Sequence, residues 1–125
     1  MKGQNFIIKL GIYPFDIMVS INQSDEQLFK NLDVYNIDQE DKKILIMEET
    51  ERGRAAILSG NQSVIRIKTR KPNYETHSVI AHEVFHSATF IMDRVGMKLK
   101  LMTSDEAYAY LIGFITQEIY KKLKF

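Results

Sequence analysis

Residues 74–95 read YETHSVIAHEVFHSATFIMDRV, and the fold follows from how that stretch is read. Val79, Ile80, Val84, Phe85, Ala88, Ile91, Met92 and Val95 recur at the three- and four-residue spacing of a buried helix face. Pro72-Asn73 precedes the stretch and Gly96 follows it, so a long helix is expected over about 74–95, with Gly96 as its C-terminal cap. Within it His82-Glu83-Val84-Phe85-His86 is H-E-x-x-H.

The helix gives that pattern its chemistry. Residues four apart rise by about 6 Å along the axis and share a face, so two imidazoles can converge on one ion. Zinc takes imidazole nitrogens at about 2.1 Å. Glu83 is turned from His82 by about 100° and from His86 by about 60°, where it borders the ion without ligating it. A carboxylate so placed can take a proton from a metal-bound water.

Working outward, a second long helix is expected from near Ser104 to about Leu123, with Ala107, Leu111, Phe114, Ile115 and Ile119 as its apolar stripe and lysines at its end. Upstream the pattern is mostly β. Residues 6–13 and 16–21 are rich in Ile, Phe, Tyr and Val and flank Pro14, as a hairpin or two successive strands would. Ser24 followed by Gln27 is a capping box, opening a short helix to about Val34. Residues 36–42 read as a loop and residues 44–47, all apolar, as a short buried strand. Residues 54–58 and 63–68 flank Ser59-Gly60-Asn61-Gln62, a second hairpin. In its second strand Ile65 and Ile67 alternate with Val64, Arg66 and Lys68, the pattern of an exposed or edge strand. The acidic stretches 38–41 and 48–51 read as solvated loops, and the basic run of Arg66, Lys68, Arg70 and Lys71 as a solvated strand that also suits an acidic peptide. The expectation is one α+β domain over residues 1–125: a small, mostly antiparallel sheet packed on two long helices that carry the metal site.

Composition narrows the partners. The chain of 125 residues carries 17 basic and 16 acidic side chains, a formal net charge of +1. That balance argues against nucleic acid or an anionic membrane as partner. No apolar run approaches the roughly 20 residues of a membrane span, and the N-terminus reads as a strand rather than a signal peptide. There is no cysteine, so a metal must be held by histidine and carboxylate. The absence of cysteine also fits a reducing cytoplasm.

A catalytic zinc takes three protein ligands and a water. His77 is badly directed for the third. Glu106, at the start of the next helix, is better placed, although Thr103-Ser104-Asp105-Glu106 is also a capping box. With its H-E-x-x-H and a Glu106-Ala107-Tyr108-Ala109 stretch twenty residues later, the segment from Tyr74 to Lys122 resembles the gluzincin metallopeptidases, the thermolysin-like zincins. It also resembles small zincin-like proteins of bacteriophages. The resemblance implies a zincin-like fold, one Zn2+ on His82, His86 and Glu106, Glu83 as general base, and a peptide or protein substrate met along an edge strand. It further implies a cytoplasmic setting, or a host cytoplasm or virion for a phage protein. In gluzincins an acidic residue often stands four positions after the ligand glutamate; here that residue is Tyr110, leaving Asp93 or Asp105 to orient a ligand histidine. Tyr110 or Tyr108 would polarise the carbonyl, and core packing is the competing role for both. Two other readings use the same residues: a zinc-binding structural or regulatory protein without turnover, and a metal-free interaction domain.

Overall fold

Alternation of branched apolar residues and tight turns builds four strands: β1 (Gln4–Lys9), β2 (Asp16–Ile21), β3 (Gly53–Ile57) and β4 (Gln62–Ile67). The computed structural model describes residues 3–68 and 71–123. The strands form one mixed sheet in the order β1-β2-β4-β3. β1 pairs with β2 and β3 with β4 antiparallel, as expected of the two hairpins, whereas β2 and β4 run parallel at the centre, with Asp16 opposite Gln62 and Ile21 opposite Ile67.

Among the described residues four helices flank the sheet: α1 (Asp25–Leu32), α2 (Gln39–Leu45), α3 (Tyr74–Arg94) and α4 (Asp105–Lys122), with a 3₁₀ turn at Asp33–Tyr35. Ser24 and Gln27 make the expected reciprocal cap of α1. Asn73 caps α3 by accepting from Thr76 N–H, and Gly96 takes a positive φ of 82° just past its end.

Both faces of the sheet are buried. Ile17, Val19, Ile21, Ile65 and Ile67 pack against Ile80, Val84, Ala88 and Ile91 of α3 and Leu111, Ile115 and Ile119 of α4. Met18 and Val64 point the other way, onto Leu28 and Leu32 of α1 and Leu45 of α2. Burial on two sides is why the central parallel strands are nearly continuous in apolar residues.

Three expectations are corrected. Residues 44–47 are not a strand. Asp38 accepts from Asp41 N–H and starts α2 where a loop was expected, and of the apolar run only Leu45 is buried, at its last turn. A four-residue apolar run has no period with which to tell strand from helix. Second, β4 is an inner strand; the edge on that side is β3. Arg66 is 4 % exposed, so the polar alternation marked an ion pair beneath α1 rather than solvent. Third, the acidic stretches are solvated only in part: Asp38, Glu40, Glu48 and Glu49 are exposed and 48–51 is a loop, but Asp41 accepts from the backbone and hydroxyl of Ser59, and Glu51 accepts from Arg54 at 3.0 and 2.5 Å. Arg70, of the basic run, lies outside the described residues.

Among the described residues, no helix is long and apolar enough to cross a membrane.

Candidate metal centre on α3

α3 holds its apolar side on the sheet, which fixes the opposite side outward. Ile80, Val84, Ala88 and Ile91 are fully buried or nearly so, and His82 and His86 project from the same flank one turn apart. Their Nε2 atoms are 3.1 Å apart, with ring centroids 4.7 Å apart and planes crossed at 68°. Two nitrogens bound tetrahedrally to one zinc at about 2.1 Å stand about 3.4 Å from each other. The pair therefore fits two corners of such a site. Phe90 stacks on the His86 ring at 5.9 Å and Phe85 meets it edge-on at 6.0 Å, so aromatic neighbours on the same helix restrict its orientation.

Glu83 points into the seam between α3 and the edge strand β3. It is 7 % exposed, and among the described residues no group donates a hydrogen bond to its carboxylate. Burial raises its pKa above the usual carboxylate value, against the opposing influence of His82, His86 and Arg54 and with a small addition from Glu51. A backbone without a side chain makes room for it. A Cβ on Gly53 would lie 2.7 Å from Val79 Cγ1 and 2.8 Å from both Cγ and Oε2 of Glu83. Glycine at the first position of β3 is thus what lets the carboxylate sit there. Gly53, and the Arg54–Glu51 pair beside it, were not singled out in the sequence; a lone glycine opening a strand carried the only signal.

The third ligand is not gathered. Among the described residues, no three His, Asp or Glu side chains lie together as a metal-holding group. α4 runs antiparallel alongside α3: Tyr120, near its end, meets His77, near the start of α3, with Nδ1 2.6 Å from the hydroxyl and the rings stacked. At the other end the Tyr108 hydroxyl donates to Met97 O at 2.6 Å. This register sets Glu106, in the first turn of α4, level with the last turns of α3 and beyond His86. Glu106 is exposed. It also makes no cap, because Ser104 Oγ instead accepts from Lys100 N–H and donates to Lys98 O. His77 is turned to α4, as its five-residue offset from His82 implies.

Of the two tyrosines, Tyr108 is buried at 6 % exposure with its hydroxyl spent on Met97, which is the core role weighed against catalysis. Tyr110 is 75 % exposed. Asp93 is exposed near the end of α3, and Asp105 is half-buried at the start of α4; neither joins the histidines.

No family model matches the chain, and no curated protein or solved structure matches it either.

Proposed function

We propose that this chain is a zinc-dependent peptidase of the zincin type, with His82 and His86 holding the ion and Glu83 as general base. One observation supports it above the others: two imidazole nitrogens 3.1 Å apart beside a largely buried carboxylate that takes no hydrogen bond from the described residues and whose oxygens still reach solvent. A carboxylate held in a mostly apolar seam and left to water rather than tied to donors is suited to proton transfer.

A bound zinc would supply a water acidic enough to lose its proton near neutral pH and a Lewis acid for the substrate carbonyl. The chain's own groups do the rest. Glu83, with its proton affinity raised by burial, takes the proton of the attacking water and returns it to the leaving amine. Phe85 and Phe90 hold His86 in its ligating orientation. Glu106 is the third ligand in this reading. Reaching the imidazoles takes a rearrangement of its turn, and the side chain, exposed and unengaged, gives up no bond to do so. Tyr110, exposed on the next turn of α4, is the tyrosine left to steady the oxyanion.

A metal-free reading rests on the same distance, since 3.1 Å also suits an N–H···N bond between neutral imidazoles of opposite tautomer. Metal analysis and hydrolysis of a mixed peptide library by wild type and Glu83→Gln separate the readings. We expect zinc in both proteins and hydrolysis in the wild type alone; a metal-free wild type establishes the imidazole bond instead.

A further inference from the structure

β2 and β4 end side by side, and the chain leaves them in opposite directions. β2 leads to α1 on one face of the sheet and β4 to α3 on the other. Divergence of that kind opens a crevice at the carboxyl ends of parallel strands. The described residues line a half-open cavity of about 850 Å³ there, within the range of small-ligand sites. One charge pair in its wall, buried at Arg66 and part-exposed at Asp25, is internally spent: Arg66 donates to Asp25 and to the carbonyls of Leu45 and Gln23. The remaining charged lining is Arg52, Lys68 and Lys71 against Glu49 and Glu75. Arg52 meets Glu75 only at 3.9 Å, and both are more than half exposed, so that pair is easily opened. Among the described residues the wall thus carries one more cation than anion.

The cavity adjoins the histidine site. Val79 lines it and stands one turn, about 6 Å, before Glu83 on the same side of α3. Both side chains crowd the same point at Gly53. An extended peptide advances about 3.3 Å per residue, so a group two residues from a bond cleaved at Glu83 reaches the cavity.

We propose that this cavity is the specificity pocket of the peptidase site and takes a carboxylate of the substrate on Lys68, Lys71 and Arg52. The proposal rests on the peptidase reading for its orientation, and its test separates the two. Binding is measured by fluorescence polarisation to zinc-treated Glu83→Gln protein. The probes are four peptides of equal length: an acidic side chain with blocked ends, a neutral peptide with a free C-terminus, a blocked neutral peptide and a blocked lysine peptide. We expect one carboxylate-bearing probe to bind at least tenfold tighter than the blocked neutral peptide, and which one it is identifies the source of the carboxylate. Charge reversal by Lys68→Glu with Lys71→Glu should transfer the preference to the lysine peptide. Lys68→Gln with Lys71→Gln, a milder change, should abolish it. Equal binding of all four probes, or a preference that survives both double variants, overturns the pocket. If the preference switches but wild type cleaves none of the peptides, the pocket stands and the peptidase reading falls. If wild type cleaves all four with equal kcat/KM, the pocket falls and the peptidase reading stands.

Discussion

Among the buried charged side chains of the described residues, Arg66 under α1 and Glu83 beside β3 lie on opposite faces of the same sheet and are treated in opposite ways. Arg66, 4 % exposed, donates to a carboxylate and two carbonyls. Its charge is compensated and its geometry tied down, the ordinary condition for burying an ion in a structural role. Glu83, 7 % exposed, receives no hydrogen bond among the described residues and has only the nearby imidazoles and Arg54 to offset desolvation. The fold ties Arg66 to protein partners, as it ties Asp41 to Ser59, and leaves Glu83 without one. Burial alone therefore does not separate structure from chemistry; the state of the partners does.

The sharpest way to break this contrast is to neutralise each charge in turn. Glu83→Gln should lower peptide hydrolysis by about 10³-fold, the scale of a lost general base, read as kcat/KM on a cleaved peptide, with zinc content unchanged. Arg66→Met should do the reverse. Leaving the carbonyls of Leu45 and Gln23 without their donor, with part-exposed Asp25 turning to water, should cost about 1–3 kcal/mol, read from the urea midpoint, and zinc content should hold. Hydrolysis lost through Arg66→Met at full stability, or stability lost through Glu83→Gln, would dissolve the distinction.

Gly53→Ala tests how Glu83 is kept in place. A methyl group within 2.8 Å of Val79 and Glu83 should destabilise the fold by about 1–3 kcal/mol. Val79→Ala in the same chain should recover part of that loss, leaving the clash with the carboxylate. Full recovery would mean that Glu83 does not occupy the seam.

The smallest effect concerns pH. Burial raises the Glu83 pKa, so folding favours the protonated acid. That contribution is complete below the pKa of the unfolded chain and is lost as pH rises through the folded value. In chelator-treated protein, Glu83→Gln should thus be more stable than wild type near pH 7, read as a higher urea midpoint. The gap should close as pH falls toward about 4. A gap that widens in acid would show that the carboxylate is stabilised where it sits.

Much of this was legible in the sequence, for local reasons. α1, α3 and α4 were readable because their caps and apolar stripes lie within a few residues: Ser24 with Gln27, and Gly96 after the last turn of α3. The convergence of His82 and His86 was readable because one helical turn fixes it. What could not be read depends on distant partners. The parallel pairing of β2 with β4 spans some forty residues of intervening chain, and no local signal sets it. Arg66 looked solvated because a polar residue in an alternating strand looks the same whether water or Asp25 receives it. Glu106 was expected beside the imidazoles, but the register of α4 on α3 follows from His77 with Tyr120 and Tyr108 with Met97, contacts that spacing along the chain does not reveal.

The central claim is that the imidazole pair is a metal site. Zinc stoichiometry by elemental analysis, on protein stripped with chelator and re-equilibrated with one equivalent of zinc, tests it without depending on any substrate. We expect one zinc per wild-type chain, and less than a tenth of that in His82→Ala and in His86→Ala, with both variants folded. Zinc bound equally by wild type and both variants, or by none of them, would contradict the account.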